Sequence, residues 1–135
     1  MKRILIIMIA LGSINIYAQT AEEYLKKGMA KFDLADYKGA IEDGTKAIAL
    51  NPKYGEAYFW RAKFKYELKE YKEAIQDYSK AIEINPKEGY ISYAYYYRGE
   101  CKNYLNDKKG ACSDITKSVN LGNTKAKESI NKYCK

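Results

Sequence analysis

The sequence predicts an all-α fold in which helical hairpins repeat and stack, closed by one further helix at the C-terminal end. Three observations predict it. Segments of the chain match one another at a fixed offset, apolar residues recur at three- and four-residue spacing, and the same dipeptide closes successive units. Shifting the stretch Tyr58 to Pro86 back by 34 residues lays Tyr24, Gly28, Tyr37, Ala40, Asp43, Ala47, Asn51 and Pro52 under Tyr58, Ala62, Tyr71, Ala74, Asp77, Ala81, Asn85 and Pro86. Shifting it forward by 37 lays Tyr95, Arg98, Gly99, Leu105, Ala111 and Asp114 under Tyr58, Arg61, Ala62, Leu68, Ala74 and Asp77. A period of this length marks a solenoid of identical supersecondary units.

The first 18 residues stand apart from that pattern. Lys2 and Arg3 precede an apolar run from Ile4 to Ile16 that ends in Ile-Tyr-Ala. A basic start, a short apolar run and a small residue at the cut describe a secretory signal peptide, here 1-18, leaving 19-135 as the mature domain. The run is too short for a membrane-spanning helix, which needs about 20 residues. Stable membrane insertion after cleavage is therefore not expected.

Thr20 is a candidate N-cap, with Glu22 and Glu23 in a first turn where carboxylates suit the helix dipole. Tyr24, Leu25, Gly28, Met29 and Phe32 then carry helical spacing, so a helix is predicted over 21–34. A turn at Ala35-Asp36 leads to a second helix over 37–50, with Ala40, Ile41, Ala47 and Ile48 on one face, and Asn51-Pro52 ends it. The central unit repeats this over 54–68 and 71–84, turning at Lys69-Glu70 and closing at Asn85-Pro86. Three additional residues within 87–92 form a longer loop or an extra first turn. Helices over 92–105 and 108–121 follow, turning at Asn106-Asp107, and Gly122-Asn123 replaces the Asn-Pro stop. The last helix, 125–133, has Ala126, Ile130 and Tyr133 on one side and suits a cap over the open end of an array.

Composition narrows the function by exclusion. There is no histidine, which removes the commonest general base and most zinc sites. The cysteines lack CxxC spacing and no phosphate-cradling glycine loop is present, so neither enzymatic activity nor a cofactor or metal is expected. Removing Lys2 and Arg3 from the formal +7 leaves +5, since the first 20 residues contain no acid. The lysines are spread among glutamates instead of forming a basic stripe, so nucleic acid is not an expected partner. Export gives the three cysteines meaning, because disulfides persist outside the cytosol. Cys112 and Cys134 are nearly equidistant from the turn at Gly122-Asn123, and Cys101 and Cys112 from the turn at Asn106-Asp107. The first pairing is preferred, because an end helix with few contacts gains most from a staple. The second stays open, as do three free thiols.

These residues resemble the tetratricopeptide repeat family, with repeats at about 21-54, 55-88 and 92-123 and a capping helix at about 124-134. The resemblance implies a right-handed superhelical stack of three helix-turn-helix repeats. It assigns packing roles to the small residues Gly28, Ala40, Ala47, Ala62, Ala74, Ala81, Gly99 and Ala111, which let paired helices approach closely. A basic residue at Lys27, Arg61 and Arg98 recurs with an acid at Asp43, Asp77 and Asp114, and the hairpin geometry sets Arg61 near Asp77 and Arg98 near Asp114.

The resemblance also implies that the first helix of each repeat lines a concave groove that takes a partner's peptide or helix. Carried over, the groove positions include Glu22, Leu25, Lys26, Met29, Phe32 and Asp33; Glu56, Phe59, Trp60, Lys63, Tyr66 and Glu67; and Tyr93, Tyr96, Tyr97, Glu100, Asn103 and Tyr104. Tyr24, Tyr58 and Tyr95 are assigned to the core. The basic-and-asparagine clamp with which chaperone-binding members hold a C-terminal carboxylate is not reproduced, since Leu25, Met29, Trp60, Tyr93 and Tyr97 stand at its positions. The expected function is that of a periplasmic or secreted adaptor binding another envelope or secreted protein. The alternatives are a self-associating homo-oligomer, or carbohydrate binding on the same tyrosines.

Overall fold

A computed structural model describes residues 20–135 apart from residue 86. The expected signal peptide and the Pro86 half of the second stop lie outside the described residues. Among these, seven helices and no strands are present: α1 (residues 20–33), α2 (Tyr37–Leu50), α3 (Gly55–Glu67), α4 (Tyr71–Ile84), α5 (Ile91–Tyr104), α6 (Lys108–Asn120) and α7 (Thr124–Tyr133). Thr20, the candidate cap, is the first described residue and lies at the start of α1.

Each hairpin turns in the same way because each contains one left-handed residue. Ala35, Lys69 and Asn106 have φ of 59°, 62° and 64°, at the offsets that relate the repeats. Asp36 and Asp107 then cap the second helices, their side chains accepting from the backbone N–H of Gly39 (3.0 Å) and Gly110 (2.9 Å). Glu70 caps α4 without a side-chain bond. Asn51 and Asn85 end α2 and α4, their backbone N–H groups donating to Ala47 and Ala81. The additional residues before the third repeat form a loop through Tyr90, and α5 begins at Ile91. Gly122, at φ 86°, supplies the left-handed stop after α6, and Asn123 caps α7 by accepting from the N–H of Ala126 at 3.1 Å.

The packed faces are built on small residues, as expected. Ala40, Ala47, Ala62, Ala74, Ala81 and Ala111 have no exposed surface. A Cβ on Gly28 would stand 3.1 Å from the Ala40 carbonyl oxygen, and one on Gly99 would stand 3.1 Å from Ile115. The larger core side chains are Phe64, Tyr78 and Ile115. Tyr24, Tyr58 and Tyr95, assigned to the core, are half-buried: Tyr24 and Tyr58 pack against it, and Lys27, Arg61 and Arg98 respectively lie over the three rings at 5.2, 5.8 and 5.2 Å. A cation over each ring keeps the phenol edge wet while its face is covered.

The recurrent charges hold the repeats to one another. Arg61 makes two bonds to the Asp77 carboxylate at 2.7 Å, and its other arm donates to Thr45 Oγ1 of the preceding hairpin. Arg98 repeats this with Asp114 at 2.8 Å and with Ser79 Oγ. Each buried aspartate also meets a lysine four residues beyond the arginine, Lys65 for Asp77 and Lys102 for Asp114. In the first repeat the equivalent Lys31 pairs with Asp43 at 2.7 Å, while Lys27 lies over Tyr24. Ser118, standing where the earlier repeats have alanine, is fully buried and donates to the Ser92 carbonyl at 2.6 Å.

Cys112 and Cys134 form a disulfide across α6 and the end of α7, with Cα atoms 4.9 Å apart, and Cys101 is a buried free thiol. The closed loop spans 22 residues, worth about 3 kcal/mol in the chain-entropy model.

Candidate functional site

The odd-numbered helices share one face of the array. Its aromatic side chains step from repeat to repeat: Phe32 to Trp60 at 6.4 Å, Tyr66 to Tyr97 at 5.4 Å and Tyr66 to Tyr104 at 6.4 Å between ring centroids.

Lys63 stands at the centre of the face. Its ammonium lies 5.9 Å from the Phe32 ring, 4.9 Å from Tyr66 and 4.4 Å from Tyr97, and it is paired with Glu67. Between α3 and α5 opens a cleft of about 250 Å³ lined by Phe59, Trp60, Lys63, Tyr93 and Tyr97. Tyr93 is 48% exposed and Tyr104 56%, so both present phenol edges to solvent. The Trp60 indole N–H donates to Glu56 one turn earlier at 3.4 Å.

Three residues assigned to the groove turn inward. Leu25 is 2% exposed and packs with Ala47 and Ala57 in the core between the first two repeats. Phe59 is only 7% exposed; its ring packs on Tyr78 at 5.8 Å and Tyr90 at 5.3 Å, so it forms the floor of the cleft and not its rim. Tyr96 is 4% exposed and joins Ala111, Ile115, Ala126 and Tyr133 in the packing under the cap. The reason is helical phase: α5 is flanked by α6 and α7 as well as α3, and the side of α5 that carries Tyr96 faces that second contact. Phe32 and Tyr66 are half-buried between neighbouring rings, and Trp60 and Tyr97 are half-exposed on the cleft wall.

The capping helix contributes directly to this face, which the sequence did not signal. Glu100 accepts hydrogen bonds from three phenols, Tyr66 at 2.9 Å, Tyr96 at 3.1 Å and Tyr133 at 2.9 Å, drawn from α3, α5 and α7. Lys125 of α7 lies 4.9 Å from the Tyr96 ring and 5.2 Å from the Tyr97 ring. The available clue was that Tyr133 follows Glu100 by about one repeat length, but without a fourth repeat to match, the register of α7 was undefined. Among the described residues no group of His, Cys, Asp or Glu could hold a metal ion, and no helix is long and apolar enough to cross a membrane.

The phenols around Glu100 resist ionisation. Burial pushes Tyr96 up to about 12, with the Glu100 charge adding to it. Tyr66 is raised further by burial and the Glu100 charge, and Tyr133 by burial and its bond to Glu100. Burial likewise pushes the Cys101 thiol up to about 12. A group whose folded pKa is raised contributes stability below its unfolded pKa and loses it as pH climbs through the folded value. Free phenols titrate near pH 10, so stability is expected to hold to about pH 10 and fall between pH 10 and 12. Phenolate absorbance and helical circular dichroism should therefore change together in that window. Titration of all 15 tyrosines near pH 10 with the helices intact would contradict this.

Comparison with known proteins follows the same lines. Two models of the tetratricopeptide repeat match the chain, at residues 21–54 and 55–88. Among solved structures, the chain is similar to the first TPR of Spaghetti (RPAP3) bound to the HSP90 peptide SRMEEVD, with 25% identity and a TM-score of 0.80 over 86% of this chain and 91% of that one. The Arabidopsis OM64 TPR domain is 27% identical, with a TM-score of 0.78 over 86% of this chain and 98% of that one. The second TPR domain of human RPAP3, in complex with the HSP70 peptide SGPTIEEVD, is 26% identical, with a TM-score of 0.76 over 90% and 98% of the two chains. No curated protein matches the sequence.

Proposed function

The chain belongs to the tetratricopeptide repeat family, a protein-interaction scaffold, and from that premise we propose that it is a non-enzymatic adaptor holding a segment of an exported protein against the face of α1, α3 and α5. The observation that carries this reading is the cleft between α3 and α5, an aromatic-walled recess left open where the small residues have already closed the packed face. Tyrosine and tryptophan combine large rigid area with a polar tip, the composition of interface hot spots. The neighbours bound to chaperone peptides support a peptide ligand in general. A terminal-carboxylate clamp is not the means, because Leu25, Met29, Trp60, Tyr93 and Tyr97 occupy its positions.

Export is supported by the basic start and apolar run at 1-18 and by the Cys112–Cys134 disulfide, which persists in an oxidising compartment. The partner is accordingly a periplasmic or secreted protein. Replacing Trp60 and Tyr97 together by Ala should leave the circular dichroism unchanged and reduce capture of a bound envelope or secreted partner by at least about a hundredfold, as loss of two hot-spot aromatics does. Capture at wild-type strength by the double variant would remove the cleft from the binding surface.

A further inference from the structure

The cleft does not stand alone. Its wall residue Tyr97 carries two ammonium groups near one ring, Lys63 from α3 at 4.4 Å and Lys125 from α7 at 5.2 Å. The acids on this side of the face are already engaged. Glu67 is paired with Lys63, and the Glu100 carboxylate is occupied by the phenols of Tyr66, Tyr96 and Tyr133. Lys125 is exposed and has rings beneath it, but no carboxylate within ion-pair distance among the described residues. A cation fixed over an aromatic wall, beside an apolar recess and in no ion pair among the described residues, is free to take an acidic partner.

Resting on the reading that this face binds another protein, we propose that its occupant is an internal segment of the partner in which an apolar side chain stands beside an acidic one. The apolar group fills the recess of Phe59, Trp60 and Tyr93, and the carboxylate meets Lys125 at Tyr97. The recess, at about 250 Å³, suits one side chain and not a whole peptide. Lysine offers a compact charge without the planar fork that grips a carboxylate in two places, so the site selects negative charge and not a chain terminus. The net positive balance, formal +5 once Lys2 and Arg3 are removed from the +7 of the full sequence, favours the same class of partner through long-range steering.

Trp60 is the sole tryptophan and lies on the recess wall, so its emission reports occupancy. The probes are two acetylated and amidated nonapeptides of glycine and serine with a central leucine, flanked by aspartates in one and by lysines in the other. The acidic peptide should shift Trp60 emission with a Kd at least about tenfold below that of the basic one at low salt, and the margin should shrink as salt is raised. Lys125→Glu should erase the margin while the circular dichroism stays unchanged, and a free C-terminus in place of the amide should alter the Kd less than about twofold. Equal binding of the two peptides would overturn the acidic assignment and leave the cleft as a binding surface. Silence of Trp60 toward both would overturn the proposal outright, and the cleft itself would then be judged by the Trp60 and Tyr97 double variant.

Discussion

Asp77→Ala is expected to destabilise the fold by about 3 kcal/mol, because it strands two cations at once. Asp77 is 5% exposed and receives the Nε and Nη2 donors of Arg61 at 2.7 Å as well as Lys65 at 2.7 Å. Without the carboxylate, Arg61 keeps only Thr45 and the Tyr58 ring. Side chains of Arg61 and Lys65 retain some access to water, at 17% and 16%, which places the effect at the low end for a broken buried pair. Replacing the three charges together with Leu at 77 and Met at 61 and 65 should recover most of the loss, since an apolar cluster of similar volume avoids the desolvation cost. Urea unfolding of the single and triple variants measures both, and a single variant within about 0.5 kcal/mol of the parent would show the network to be dispensable.

Phe64→Ala carries the other large effect, about 4 kcal/mol and a fall of roughly 15 °C in Tm. Phe64 has no exposed surface and joins two repeats, its ring 5.4 Å from Phe32 and 6.1 Å from Trp60, with its edge where a Cβ on Gly28 would reach it at 3.3 Å. Truncation empties the contact that ties α1 to α3. In an array where each unit touches only its neighbours, the loss concentrates at that interface. Amide exchange should accelerate in α1 and α2 well before α5 and α6, whereas uniform acceleration would mean that the chain unfolds as one unit.

The architecture was legible because it is written periodically. Gly28, Ala62 and Gly99 recur where helices must touch, and Asp43, Asp77 and Asp114 recur where charges must meet, so each repeat served as a check on the others. The lysines that complete those charge clusters, Lys31, Lys65 and Lys102, recur at the same offsets, yet lysine is so frequent in this sequence that three more raised no signal. The candidate site was less legible, because aromatics on the first helix of a repeat can point to the groove or to the next helix within about one residue of phase. Tyr97 and Tyr96 differ by one position, and only the placement of α7 against α5 and α6 sends Tyr96 inward. Nothing repeated in the chain fixed the register of α7, so Lys125 and the Tyr133 phenol could not be read as parts of the face.

The array therefore has unequal ends. A unit inserted between α6 and α7 would part Cys112 from Cys134, lift the Tyr133 phenol from Glu100 and carry Lys125 away from Tyr97. A unit added ahead of α1 would disturb none of these. Lengthening on the N-terminal side would thus leave the disulfide, the Glu100 cluster and the Lys125 contact in place.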